Sequence, residues 1–302
     1  MHNIACTTPL PQLRLDEVTQ EPVSYKSLVW RKFRRHRLAL VGMVLLVIFV
    51  LASSFGPLVS PYDQYQIDLD QILRAPSLAH PMGTDDLGRD ELARTLSGGR
   101  ISTSLGLMAS VISVLIGGLV GSVAGYYGGT MDNLLMRLTD LVMSFPQLFL
   151  MILFSALFGK TLLSIAVVIG ALSWMGVARL VRASFLSIKQ EDFVLAARSI
   201  GVGSRRIIAR HIFPNAMGPI IVAGTVGVAQ AIIMESALSY LGLGVQLPTA
   251  SWGSMLRQAQ DQLRMGWWLS VFPGLMIALT VLSVNLVGDG LRDALDPRHM
   301  LK

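Results

Sequence analysis

The chain is 302 residues long; 52% of them are hydrophobic, 15% are charged, and the formal net charge is +6. Soluble domains carry about a quarter charged residues, so an ordinary water-soluble fold is excluded, as is disorder over most of the chain. The single cysteine, Cys6, excludes a disulfide scaffold. A basic balance could serve nucleic acid, but the 25 Lys and Arg punctuate long apolar runs rather than forming a solvated face. With 28 glycines and a mean hydropathy of +0.57, this is the composition of an all-α integral membrane protein.

Residues 1–25, with Pro9, Pro11 and Pro22, read as a loosely ordered tail. The stretch 26–37 then interleaves Leu28, Val29, Trp30 and Phe33 with cations, which suits a helix in the headgroup layer or simply flanking positive charge. A bilayer core about 30 Å thick takes roughly 20 apolar helical residues to cross. Six stretches qualify: 38–59, 101–126, 134–158, 162–180, 216–241 and 268–287. The first starts too late and runs too long for a cleavable signal, and reads as a signal anchor. Pro146 and Pro273 fall inside the third and sixth, where kinks are expected rather than breaks. Gly159-Lys160-Thr161 makes a tight turn between the third and fourth. The organisation is a tail (1–37), a first span (38–59), an external loop (60–100), a core unit (101–291) containing the inner loop 187–214, and a C-terminal tail (292–302).

Orientation follows from the basic residues in the loops. Arg31, Lys32, Arg34, Arg35 and Arg37 precede the first span and place the N-terminus in the cytoplasm. Alternation of six spans then returns the C-terminus to the same side, and about 18 of the 25 Lys and Arg fall inside. The loop 60–100 holds Asp63, Asp68, Asp70, Asp85, Asp86, Asp90 and Glu91, is net negative, and lies outside. The expected location is the cytoplasmic membrane, crossed several times with both termini inside.

No catalytic constellation is legible. Gly159-Lys160-Thr161 echoes the end of a phosphate-binding loop, but Phe154 stands where that loop needs its first glycine. The histidines are scattered, with no pair spaced for zinc, and there is no nucleophile elbow. No cofactor or metal is expected on this chain. Within the second span, Gly106, Ser110, Ser113, Gly117, Gly121 and Gly125 recur at steps of three and four, a small-residue face suited to static packing or to a sliding seam. Asp140 follows Arg137 at i,i+3, which a local ion pair would explain. Glu235, inside the fifth span, either makes a helix–helix hydrogen bond or lines a translocation path or gate.

The loop between the fourth and fifth spans is the most informative segment. Glu191 and Asp192 suit the positive end of a short helix, and Gly201 suits the left-handed residue that ends it. Ser204 is an N-cap candidate for a second helix carrying Ile207, Ile208 and Ile212 and stopped by Pro214. Ala196 and Ala197 are small enough for another protein to approach closely. Nothing in the segment suits a small substrate, so mechanical docking is its natural use. The surface residues expected to carry it are Asp192, Phe193, Ala196, Ala197, Arg198, Gly201 and Arg205.

The spacing of Ala196, Ala197, Gly201 and Pro214 resembles the Glu-Ala-Ala loop of ATP-binding-cassette importer permeases, with Leu195 in place of the family's glutamate. Further strings extend the likeness: His80 through Asp90 (HPMGTDDLGRD), Ser97 through Ser102, Gly125-Tyr126-Tyr127-Gly128-Gly129, Ser239 through Gly244, Ser251-Trp252-Gly253, and Gly288 through Pro297. Together they resemble the C-type permease of dipeptide, oligopeptide and nickel importers. That resemblance implies a type I importer permease fold with six transmembrane helices. It also implies a sister permease (a heterodimer), one or two ATPase subunits that bind ATP and Mg²⁺, and an external substrate-binding protein. Peptides, nickel chelates, glutathione and opines are all carried by such systems. The rival class, a secondary transporter or channel independent of ATP, is expected to show paired broken helices or several buried mid-bilayer charges.

Overall fold

The computed structural model describes residues 25–246 and 248–295. The N-terminal tail through residue 24, Cys6 included, and the end of the C-terminal tail lie outside the described residues. Among those described there is no strand, only an isolated bridge between Thr84 and Asp90.

A short helix, α1 (Tyr25–Phe33), leads into α2 (Arg37–Val59), whose first turn is capped by His36: its Nδ1 accepts from the Ala39 amide at 3.1 Å. α3 (Glu91–Tyr127) has 37 residues. At 1.5 Å per residue it is about 55 Å long, well beyond a bilayer core; its first turns therefore project past the apolar stretch. α4 (Gly129–Met143) and α5 (Gln147–Phe158) meet at 84°, and α6 (Leu162–Ala171) and α7 (Trp174–Ile188) at 45°. After the loop helices α8 (Asp192–Ser199) and α9 (Ser204–Ile207) come α10 (Phe213–Tyr240), α11 (Trp252–Ala259) and α12 (Trp268–Leu295). Among the described residues four continuous helices are long and apolar enough to span, and the count rises to six if each bent pair forms one crossing.

The third span departs from expectation. Pro146 breaks the helix instead of kinking it: Ser144 and Phe145 leave the helical path, and Pro146, with φ −61 and ψ 116, stands at the N-cap of α5. Proline lacks the amide that would continue the ladder and biases its predecessor away from helical torsions. The fourth span also breaks, at Leu172 and Ser173. There Gln147, just past the other break, donates its side-chain amide to the Leu172 carbonyl (2.7 Å) and to Ser173 Oγ (3.1 Å). A carbonyl freed inside lipid needs such a donor. Pro273, by contrast, sits within an unbroken α12.

The second loop helix differs as well. Gly203, not Ser204, occupies the N-cap position, and Pro214 does not end the helix. Residues 208–212 form one wide turn, in which the Phe213 amide reaches back five residues to the Ile208 carbonyl. The extra residue gives room for the ring of Pro214, which would otherwise collide with the preceding turn. Loop helix and membrane helix thus become one rod from Ser204 to Tyr240.

α3 is the centre of the molecule, packed against α2, α6, α7 and α10. Its small residues divide between two partners. Gly117, Gly121 and Gly125 press on α7: a Cβ at Gly117 would lie 2.6 Å from the Trp174 carbonyl, and one at Gly125 2.7 Å from the Phe185 Cβ. At the other end, Gly106 admits Ile232 of α10, and Ser110 Oγ donates to the Gly224 carbonyl at 2.6 Å. Both contacts are backbone-close and static. Gly117→Val should therefore cost about 1–3 kcal/mol through overpacking and lower the thermal unfolding midpoint of the purified protein. Gly118→Ala, where an added Cβ meets nothing within 4 Å, should leave the midpoint unchanged.

Candidate functional site

The loop helix α8 follows α7 after a short turn and is ended as expected by Gly201, with φ +79. The Val202 amide reaches back to the Ala197 carbonyl (3.1 Å) and the Ile200 amide to the Ala196 carbonyl (3.2 Å), so the last carbonyls of α8 are satisfied through a left-handed turn. One face of α8 is anchored. Val194 and Ala197 are buried in a cluster with Val181 and Phe185 of α7, Ile207 of α9, Ile212, and Ala216 and Ile220 of α10. The opposite face is open: Asp192, Phe193, Leu195, Ala196, Arg198 and Ile200 are exposed, as is Arg205 on α9. The two alanines therefore do different things. Ala197 lies buried in that cluster, where α8 packs on α9 and the wide turn 208–212, while Ala196 leaves the outer face flat. Ile200 is 82% exposed. Three large apolar side chains therefore stand exposed beside two arginines and a small residue, an apolar patch on a helix whose other face is buried.

The lever behind that surface is α7, held to its neighbours by three cations. Arg182 makes a two-pronged contact with Asp132 of α4, Nε to Oδ1 at 2.5 Å and Nη2 to Oδ2 at 2.7 Å. Arg179 reaches Asp140 of α4 at 2.5 Å. Lys189, at the end of α7, donates to the Tyr126 carbonyl at the end of α3 and lies 5.5 Å from that residue's ring centre. Asp140 thus pairs across helices with Arg179 rather than with Arg137 in its own turn. The long α7 arginine can extend to an adjacent helix, a geometry that no local spacing reveals.

Between α3, α6, α7 and α10 lies a cavity of about 230 Å³. Ser110, Ser113, Ser173 and Gln230 contribute polar atoms to its wall, and Gly176 and Gly227 keep it open. These hydroxyls and the Gln230 amide give the void a partly polar lining within an otherwise apolar bundle. Glu235 does not enter this cavity. It is fully buried between α3, α10 and α11, accepting from Ser239 Oγ at 2.6 Å and from Ser102 Oγ at 3.1 Å. Ser102 Oγ in turn accepts the Trp252 amide at 3.2 Å, at the start of α11.

At the end of the bundle away from α8, the HPMGTDDLGRD stretch folds into a cap. Asp85 accepts from Arg89 Nε (2.7 Å) and from the Leu87 and Arg89 amides (2.9 Å each), and lies 3.4 Å from Arg94 Nε. Arg94 also donates to Gln258 at 2.8 Å; Asp90 caps α3 through the Ala93 amide (2.8 Å) while holding His80 at 2.9 Å. The indoles of Trp252 and Trp268 donate to the Thr95 and Thr84 carbonyls. Arg94 through Gln258 and Trp252 through Thr95 fasten the projecting turns of α3 to α11, while Trp268 ties the cap to α12. Lys160, in the would-be phosphate loop, donates to the Gly242 carbonyl at 2.9 Å and is structural.

An all-helical membrane chain with a partly polar cavity between its helices and an exposed apolar patch on a loop helix suits a permease component, the class that the family comparison shows. Residues 117–300 match the model of the binding-protein-dependent transport system inner membrane component, and the chain belongs to that family. Residues 24–76 match the N-terminal transmembrane domain of oligopeptide transport permease C. Over 284 residues the chain is 41% identical to the dipeptide transport system permease protein DppC of Bacillus subtilis, covering 94% of this chain and 89% of the relative. It is 41% identical over 283 residues to the oligopeptide permease OppC of the same organism, covering 92% and 93%. With the di/tripeptide permease DppC of Pseudomonas aeruginosa the identity is 39% over 275 residues, covering 89% and 91%. The protein is thus an integral membrane permease of the type I importer fold. Two bent helix pairs do occur, a mark expected of secondary transporters, yet nothing in the family matches supports an ATP-independent carrier.

Replacing Glu235 by Leu strands the hydroxyls of Ser102 and Ser239 in a buried site. A loss of about 1–3 kcal/mol in stability is expected, read as a lower unfolding midpoint. Glu235→Gln, which keeps an acceptor, should lose less.

Proposed function

We propose that the protein imports peptides as the C-type half of an ATP-driven transporter. A sister permease completes the membrane pathway, one or two ATPase subunits bind ATP and Mg²⁺ and engage α8, and an external binding protein delivers solute at the capped end. The observation that carries this reading is the α8 surface: Phe193, Leu195 and Ile200 stand exposed around Ala196 on a helix packed on α9 and the wide turn that leads into α10. A patch of that kind is costly in water unless a partner covers it. Because α9 continues into α10, a push on α8 is delivered directly to a wall of the polar cavity. The relatives' names, dipeptide, oligopeptide and di/tripeptide, support peptides as the cargo. The cavity's hydroxyls and amide suit a peptide backbone, rich in donors and acceptors, better than an apolar solute. In this reading the α8 end and both termini face the cytoplasm, in keeping with the basic residues on that side.

Gly201→Asp tests the docking surface in the transporter purified with its ATPase and reconstituted into vesicles. A side chain at φ +79 strains the turn by about 1–2 kcal/mol, and the carboxylate adds charge where the partner sits. Uptake of a radiolabelled dipeptide and stimulation of ATP hydrolysis should each fall about tenfold while membrane insertion is retained; wild-type values for both would refute the reading. Orientation has its own test. A reporter enzyme active only beyond the membrane, fused near Asp70, should be active, and inactivity would invert the topology.

A further inference from the structure

We propose that Asp132 and Arg182 are positioning residues that join α4 to α7, so that α3, α4, α7 and α8 move as one lever. The proposal rests on the coupling role of α8 set out above. Apolar packing of α4 on α7 is slight, confined to Val142 against Trp174, Met175 and Ala178. Of the α4 side chains only Asp132 and Thr139 are buried, while Leu134, Leu138 and Leu141 are exposed by 65, 51 and 60%. What ties α4 to α7 is charge, through Arg182–Asp132 and Arg179–Asp140.

The geometry of the first pair decides its role. A two-pronged guanidinium–carboxylate contact fixes the relative angle of the two helices as well as their separation, which a point charge such as lysine cannot do. Asp132 is the better shielded of the two acids, its side chain 13% exposed against 62% for Asp140, so Arg179–Asp140 is a weaker second tie. On its other side α7 is locked to α3 by Gly117, Gly121 and Gly125. Held from both sides, α7 cannot turn without carrying α4 along. Without the Arg182 fork, α4 would swing about its break at Pro146 whenever α8 is pushed.

The test uses the full transporter purified with its ATPase in lipid nanodiscs. Spin labels are placed at Arg137→Cys on α4 and Gln190→Cys at the α7–α8 turn, with Cys6→Ser in the background. The expected result is one narrow label distance, unchanged between the nucleotide-free and vanadate-trapped states. In Arg182→Gln the distance should broaden or shift in the trapped state alone, with basal ATP hydrolysis retained, and the exchange D132R/R182D should restore it. If Arg182→Gln fails to assemble, Arg182→Lys, which keeps the charge but not the fork, should show the same trapped-state broadening. A wild-type distance that changes on trapping would overturn the proposal. So would an Arg182 variant that matches wild type in both states, or one that changes both states alike, as a merely structural contact would. If no ATPase co-purifies, the coupling reading itself fails and this proposal goes with it, an outcome distinct from any change in distance.

Discussion

The structure depends on the backbone-to-backbone contact of α3 with α7. In lipid, apolar side chains have no water to escape, so helices associate through close approach, local hydrogen bonds and dispersion rather than through hydrophobic burial. Gly117, Gly121 and Gly125 let the two backbones meet where any side chain would separate them. With α7 seated there, α8 is positioned at its end and α6 at its start. The cavity opens where the α3–α7 contact gives way to the α3–α10 contact around Ser110.

Much of this was legible in advance. The six apolar stretches coincide with the helices and bent pairs that cross, because length and hydropathy are set by bilayer thickness and little else. The Gly201 turn was readable because only a left-handed residue ends a helix in that way, and glycine is the residue that adopts it without strain. The small-residue face of α3 was also visible, though not that it serves two partners in turn. The face is continuous along the helix, whereas α7 and α10 each contact only part of it.

What stayed hidden depends on contacts distant in sequence. Asp132 and Arg182 are 50 positions apart, and Asp140 and Arg179 are 39 apart. Arg137 offered Asp140 a nearer partner by spacing, but Asp140 pairs instead with Arg179 on α7. The breaks at Pro146 and after Ala171 were hidden for a related reason. A proline in a membrane helix is compatible with a kink or a break, and the choice lies with whatever group satisfies the exposed carbonyls. At the second break that group is Gln147, 25 residues from the Leu172 carbonyl it serves. The acids of the HPMGTDDLGRD stretch read as loop charge, while in the fold Asp85 and Asp90 are buried and paired within the cap.

The reach of Gln147 has a further consequence. Its amide stands immediately after one interruption and grips the Leu172 carbonyl at the other, so the two elbows share a single pin. Parting the elbows would separate that amide from its acceptor, a cost that lipid does not offset with water. Two joints that look separate along the chain are thereby cross-linked, with α5 and α6 packed as a short hairpin between them.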